Sequence, residues 1–182
     1  MKMKKGFLAV VAMAVLILGM AAASEAALIS FEDFETGASG WNNNTVTDGG
    51  VNFTNFLGRF DCPGTGQSVY KTYTLSGTQT EVTVSLYIYE IDSWDNENFV
   101  IFADDIQIAS FYFQHGRDDG SASLEKIFTG DNGVMNYGFS HWPDQGYRYT
   151  FTHATTAASF KLGFGDAIGQ GIADESWGVD NI

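Results

Sequence analysis

The sequence has few of the residues that form disulfides or catalytic centres: one cysteine, two prolines and three histidines in 182 residues. Because Cys62 is the only thiol, an internal disulfide is excluded. No second thiol or histidine pattern near it indicates a metal or redox site. The chain also lacks Gly-x-Ser-x-Gly, His-Glu-x-x-His and glycine-rich phosphate-binding motifs. His115 and His141 fall in loops, and His153 is expected on a strand face. We therefore predict no catalytic residue and no enzymatic function.

Basic residues are also few. Nine Lys and Arg stand against 22 Asp and Glu, which gives a formal net charge of −13. A surface this acidic repels phosphate, so we expect no nucleic-acid partner. Such a surface suits the binding of cations, although solubility alone also explains it.

Long hydrophobic runs are confined to the N-terminus. Three lysines precede an apolar run over residues 7–20, and small residues end at Ser24-Glu25-Ala26. This is the pattern of a secretory signal peptide, with an apolar region too short to span a bilayer comfortably. We predict cleavage after Ala26, with an uncleaved anchor as the weaker alternative. The product, residues 27–182, is expected to be secreted or at the cell surface and not inserted in a membrane.

Period-two alternation predicts β-structure through most of residues 27–182. The segment EVTVSLYIYEI, which begins at Glu81, is the clearest strand. One face carries Val82, Val84, Leu86 and Ile88, and the other carries Thr83, Ser85, Tyr87 and Tyr89. Further strands are predicted at 69–75, 99–103, 106–113, 147–153 and 160–164, with a tight hairpin at Asp104-Asp105. No helical pattern follows the signal segment. We predict a single all-β domain at 27–182, a two-sheet antiparallel β-sandwich of jelly-roll type.

Acidic residues cluster near the predicted mature N-terminus, in the segment IDSWDNEN that begins at Ile91, and in the terminal segment DESWGVDNI. Hard cations such as calcium take carboxylate, amide and carbonyl oxygens as ligands, usually on loops, and calcium often stabilises exported domains without disulfides. The candidate ligands are Glu32, Asp33, Glu35, Asp92, Asp95, Glu97, Asp174, Glu175, Asp180 and Asn181. None has EF-hand spacing, and acidic loops are often only solvated. Because apolar alternation breaks after Val179, the register is expected to break at Asp180-Asn181, as at a bulge or where a loop passes into a strand, and the Asp180 side chain can turn toward a site there.

Aromatic residues next to polar loops suggest a second kind of site. Flat rings flanked by Asp and Asn are typical of sugar binding, because the rings stack on C–H faces while the polar groups bind hydroxyls. The candidates for glycan binding are Trp41, Trp142, Tyr87 and Tyr89. For Trp94 and Trp177, packing at the ends of the sandwich core is the better interpretation.

The segments FEDFETGASGW (31–41) and ESWGVDNI (175–182) resemble the first and last strands of calcium-stabilised jelly-roll domains. These domains belong to the carbohydrate-binding-module and concanavalin-like kind. Together with LGRF (57–60), SLYIYEIDSWD (85–95) and FADDIQI (102–108), the segments also resemble an exported bacterial domain. That domain is common in cell-surface proteins with PEP-CTERM sorting signals.

This resemblance implies that the first and last strands lie close together and share a structural calcium. Glu32 and Asp180 are then the leading ligands. It also implies recurring acidic positions at Asp92, Asp95, Asp174 and Glu175, with the two Trp segments contributing to one site.

Three functions remain open on the sequence alone. The leading hypothesis is a non-catalytic, exported β-sandwich that binds structural calcium and a glycan or another surface polymer. The alternative is a self-assembling structural protein of the cell surface or extracellular matrix. A carbohydrate-active enzyme is the least favoured.

Overall fold

The computed structural model describes residues 26–49, 54–61, 66–114, 123–129, 142 and 144–182. Within them the chain forms ten β-strands and no helix. The strands are β1 (Val46–Thr47), β2 (Phe56–Phe60), β3 (Val69–Thr74), β4 (Glu81–Asp92), β5 (Asp95–Ala103), β6 (Ile106–Gln114), β7 (Leu124–Thr129), β8 (Gln145–Ala154), β9 (Ser159–Asp166) and β10 (Glu175–Asp180).

Four sequence predictions concern residues outside these ranges. The signal segment up to residue 25, Cys62, His115 and His141 are not among the described residues. In the part of the chain that is described, no helix has the length and apolar character needed to cross a membrane.

The strands form two antiparallel sheets. The larger sheet has the order β1-β2-β10-β4-β8-β7, and the smaller has the order β3-β9-β5-β6. Their facing sides bury one large hydrophobic cluster. The predicted all-β fold, a two-sheet antiparallel sandwich, is confirmed, while the jelly-roll connectivity stays a prediction.

The predicted alternation along β4 sets which side faces the core. Val82, Val84, Leu86 and Ile88 are buried in the large cluster, and Thr83 and Ser85 are exposed. The face of β4 that carries Thr83 and Ser85 was expected to stay polar along the strand. This expectation is wrong toward the end of β4, where Tyr89 and Ile91 are buried.

Tyr89 belongs to a small aromatic cluster on the outer face of the larger sheet. Its ring packs edge-on against Phe56, with ring centroids 5.3 Å apart, and lies 5.8 Å from the ring of Phe128. Gly178 and Gly146 flank Tyr89 on the neighbouring strands. A Cβ atom at either glycine would lie within 2.4 Å of a Phe ring atom. Glycine therefore allows the rings to lie flat across the sheet.

The predicted hairpin at Asp104-Asp105 joins β5 to β6. Both residues have positive φ, 50° and 64°. Positive φ at both central residues is the requirement of a type I′ turn, whose twist matches that of the strands. The prediction is confirmed.

Candidate functional site

The two Trp segments meet at one end of the sandwich. β4 lies in the larger sheet and β5 in the smaller, and only Ser93 and Trp94 connect them. Positive φ values at Asp92 (71°) and Asn96 (82°) turn the chain on either side of this crossing. The Trp94 indole N–H donates to the Ser176 carbonyl oxygen at 2.9 Å, and the Ser93 hydroxyl donates to an Asp174 carboxylate oxygen at 2.9 Å. The two segments are therefore in direct contact, while a shared binding site stays a prediction.

Both tryptophans of these segments are core residues, as expected. Trp94 and Trp177 are fully buried. The Trp177 indole N–H donates to Asp166 Oδ2 at 2.5 Å, so a buried carboxylate satisfies the only polar atom of the ring.

Four carboxylates surround this crossing, and we call them the acidic corner: Asp95, Glu97, Asp174 and Glu175. The bulge at Asn96 interrupts the pairing of β5 with β6 between Asp95 and Glu97. Asp174 precedes the first residue of β10, Glu175, which pairs with the last residue of β4. Asp95 and Asp174 are exposed, whereas Glu175 is 0% exposed.

Glu175 is the residue with the least satisfied side chain of this corner. Its Oε1 accepts a hydrogen bond from Gln170 Nε2 at 3.2 Å. Its Oε2 is buried and has no hydrogen-bond partner among the described residues. Burial, followed by the negative charges of Glu97, Asp95 and Asp174, raises the pKa of Glu175 to about 7. A backbone hydrogen bond from Asp95 opposes this rise. A nearby cation would favour the ionised form of Glu175.

Asp92, a further predicted ligand, is paired with a cation of the chain itself. It is fully buried, and Arg59 Nη2 lies 3.2 Å from Asp92 Oδ2. Arg59 Nε also donates to the Ser176 hydroxyl at 2.7 Å, and its Nη2 donates to the Ile172 carbonyl. Asp92 thus anchors Arg59 against β10 instead of facing the acidic corner with an open charge.

Glu32 is likewise paired within the chain. Its Oε1 lies 2.8 Å from Lys71 Nζ, and its Oε2 accepts the Trp41 indole N–H at 2.7 Å. The Glu32 backbone exchanges two hydrogen bonds with Ile182, at 2.9 and 3.1 Å. The segments around Glu32 and Ile182, which the resemblance implies lie close together, are in contact. The residues around Glu32 form no strand.

Asp180 has a different set of partners. It is fully buried on the outer side of β10. Its carboxylate accepts hydrogen bonds from the Tyr89 hydroxyl (3.0 Å), the Thr54 hydroxyl (3.0 Å) and the Asn181 backbone N–H (2.7 Å). Burial raises its pKa, and these hydrogen bonds oppose that rise. The predicted break at Asp180-Asn181 coincides with the end of β10, where Asn181 has φ of 48°, and not with a bulge or a loop that leads into a strand.

The carboxylates of Glu32 and Asp180 therefore have no hydrogen-bond partner in common within the described ranges. Their shared calcium stays a prediction. Within those ranges, no group of three or more His, Cys, Asp or Glu side chains is arranged to hold a metal ion.

The four aromatic residues predicted to bind glycans differ in accessibility. Trp41 is buried and its ring stacks on Phe164, with centroids 5.8 Å apart, so the ring does not present a face to a sugar. Tyr89 is buried in the outer cluster, and Tyr87 is partly buried beside it. Trp142 is 46% exposed. For Trp41 and Tyr89 the prediction is corrected, because neighbouring side chains cover their rings.

His153 occupies a strand face, as expected. Its Nε2 lies 3.1 Å from Asp104 Oδ2, and its ring packs near Phe160 at 5.7 Å between centroids. Both contacts are structural, and the first joins β8 to the β5–β6 hairpin.

Comparisons of the chain with protein-family models, with curated proteins and with solved structures gave no significant match.

Proposed function

We propose that the chain is a non-catalytic, exported β-sandwich domain that binds calcium at the acidic corner and recognises a glycan or another surface polymer. The observation that supports the calcium part is the buried Oε2 atom of Glu175, which has no hydrogen-bond partner among the described residues. Three further carboxylates act on this group electrostatically. Calcium accepts carboxylate, carbonyl and water oxygens in flexible geometry, so it tolerates carboxylates that are not held in a fixed octahedral arrangement.

The acidic corner also has room to adapt around an ion. Asp95 and Asp174 are exposed, so a shift of either side chain toward Glu175 leaves the core in place, while Asp174 gives up the hydrogen bond that it accepts from the Ser93 hydroxyl. Carboxylate ligands bind in their ionised form, so calcium competes with the proton that Glu175 otherwise retains near neutral pH.

The test is the thermal stability of Glu175→Gln in EDTA and in calcium at pH 8. In EDTA the variant melts above the wild type, because an amide of the same shape removes a buried charge. In calcium the order reverses: the wild type gains about 5–10 °C at a hundredfold excess over Kd, and the variant gains none.

The matched control is Glu81→Gln, which makes the same chemical change at the opposite end of β4, where Glu81 is exposed. This variant keeps the calcium-induced rise in melting temperature. A wild type with equal melting temperatures in EDTA and calcium contradicts the calcium proposal. If both variants lose the calcium-induced rise in melting temperature equally, the calcium site does not lie at the acidic corner.

Support for the glycan part comes from Trp142, the one predicted glycan-binding aromatic that is well exposed. Calorimetric titration against a panel of polysaccharides tests it. We expect Trp142→Ala to weaken binding about tenfold, a typical effect of truncating a central aromatic contact. Phe31→Ala, which removes another exposed ring, is the control and leaves binding unchanged. Binding of no polysaccharide by the wild type refutes this part alone.

A further inference from the structure

Three of the four sheet edges carry features that block pairing with another strand. β1 is two residues long, and β7 contains Glu125 and Lys126. The outer edge of β3 is covered by Asn42, whose backbone N–H donates to the Tyr70 carbonyl at 3.0 Å and whose side chain accepts the Tyr70 N–H at 2.6 Å. Short strands, charges and covering loops are the usual protection of exposed strand edges.

The fourth edge, β6, is neither short, charged nor covered by a described loop, although one bulge at Ile108 interrupts its pairing with β5. Its sequence is IQIASFYFQ, with no charged residue, no proline and no glycine over nine positions. Ile106 is 64% exposed and Tyr112 is 55% exposed. Within the described part of the chain, β5 is its only strand neighbour. A long, uncharged edge rich in aromatic and β-branched residues is the type of strand that accepts another strand.

Part of the charge at the start of this edge is neutralised. Of the two acids in the turn before β6, Asp105 forms an ion pair with Lys161 Nζ at 2.6 Å. Asp104 lies 3.1 Å from His153 Nε2, which is an ion pair only when His153 is protonated. The chain as a whole carries a net charge of −13, so two copies repel one another over most of their surface. The nine residues of β6 carry no charge of their own, and the acids beside the far end of the strand, Asp95 and Glu97, belong to β5.

We propose that β6 pairs with β6 of a second copy in antiparallel orientation, which joins two four-stranded sheets into one of eight strands. A two-fold axis places the same strand on both sides, so the edge is its own complement, and the regular stretch 109–114 that follows the bulge at Ile108 can pair in each copy. This dimer goes beyond the binding of calcium or a glycan and depends on neither.

Sedimentation velocity over micromolar to near-millimolar protein concentrations tests the proposal. The buffer contains EDTA, so that calcium cannot bridge two acidic corners. The wild type is expected to shift from monomer to dimer. The double variant Gln107→Lys, Tyr112→Lys adds two positive charges at exposed positions of β6. Because like charges then face one another across the two-fold axis of the dimer, the dissociation constant should rise by at least about tenfold. Thr74→Lys with Thr80→Lys adds the same charge at exposed positions away from β6 and leaves dimerisation unchanged.

Amide hydrogen exchange of the wild type locates the contact without any substitution. The amides of residues 106–114 are expected to exchange more slowly in the concentrated than in the dilute sample. A wild type that remains monomeric, a dimer unaffected by the β6 lysines, or equal exchange of these amides in both samples overturns the proposal. Slower exchange confined to another edge overturns it as well.

Discussion

At the scale of single residues, buried acids of this chain have different partners, and the partner decides the role of each acid. Asp166 accepts the Trp177 indole N–H, and Asp92 binds Arg59. Asp180 accepts hydroxyl and backbone donors. Glu175 keeps one oxygen without a hydrogen bond among the described residues. Since burial of a charge is strongly unfavourable, an external cation would stabilise the ionised form of Glu175.

A glycine of β10 provides a prediction at the same scale. A Cβ atom at Gly178 would lie 2.3 Å from the ring of Phe56, which is fully buried and cannot swing away. We expect Gly178→Ala to lower the free energy of unfolding by about 1–3 kcal/mol, because the outer aromatic cluster must shift. Urea unfolding followed by tryptophan fluorescence measures the change.

Gly169→Ala is the control for this substitution. Gly169 lies in the loop before β10, and a Cβ atom added there would meet no atom within 4 Å beyond its chain neighbours. This variant should keep the stability of the wild type or exceed it slightly, since alanine restricts the unfolded chain. Equal destabilisation by both alanines would show that Phe56 is not the cause.

At the scale of the elements, strands with one face in water were predictable from sequence. β4 alternates over residues 81–86 because its inner residues enter the core while its outer residues face solvent. β9 alternates over residues 159–162 in the same way, with Lys161 partly exposed, whereas its later outer residues are buried. β2 was not predicted: four of its five residues are buried, since one side faces the core and the other the outer aromatic cluster. A strand that is buried on both faces loses the period-two signal.

The sequence predicted which segments form the candidate site but not which side chains pair within it. The repeated Ser-Trp pattern with flanking acids located both segments of the acidic corner. The pairing of Asp92 with Arg59, 33 residues apart, and of Glu32 with Lys71 depends on which strands become neighbours. Local sequence carries no signal of such pairs. The bulge at Asn96 that separates Asp95 from Glu97 also arises from pairing with β6.

At the scale of the whole molecule, acidity makes stability depend on pH. Between about pH 4.5 and 7 the folded chain holds a proton on Glu175 that the unfolded chain releases, because the pKa is raised from 4.5 to about 7. The free energy of unfolding therefore falls as pH rises through this window, and the decrease caused by Glu175 is complete above about pH 7. The raised pKa of Asp180 and the repulsion among 22 acidic residues act in the same direction.

Comparison of the wild type with Glu175→Gln separates the contribution of Glu175 from these general effects. Each unit of pKa shift corresponds to about 1.4 kcal/mol, so the wild type should lose on the order of 3 kcal/mol more than the variant between pH 4.5 and 8 in EDTA. Chemical unfolding at several pH values measures both curves, which should coincide near pH 4.5 and diverge above it. Parallel curves over the whole range would place the origin of the pH dependence in the net charge and not at Glu175. Saturating calcium should make the wild-type curve shallower above pH 6, because the ion replaces the proton as the partner of the buried carboxylate.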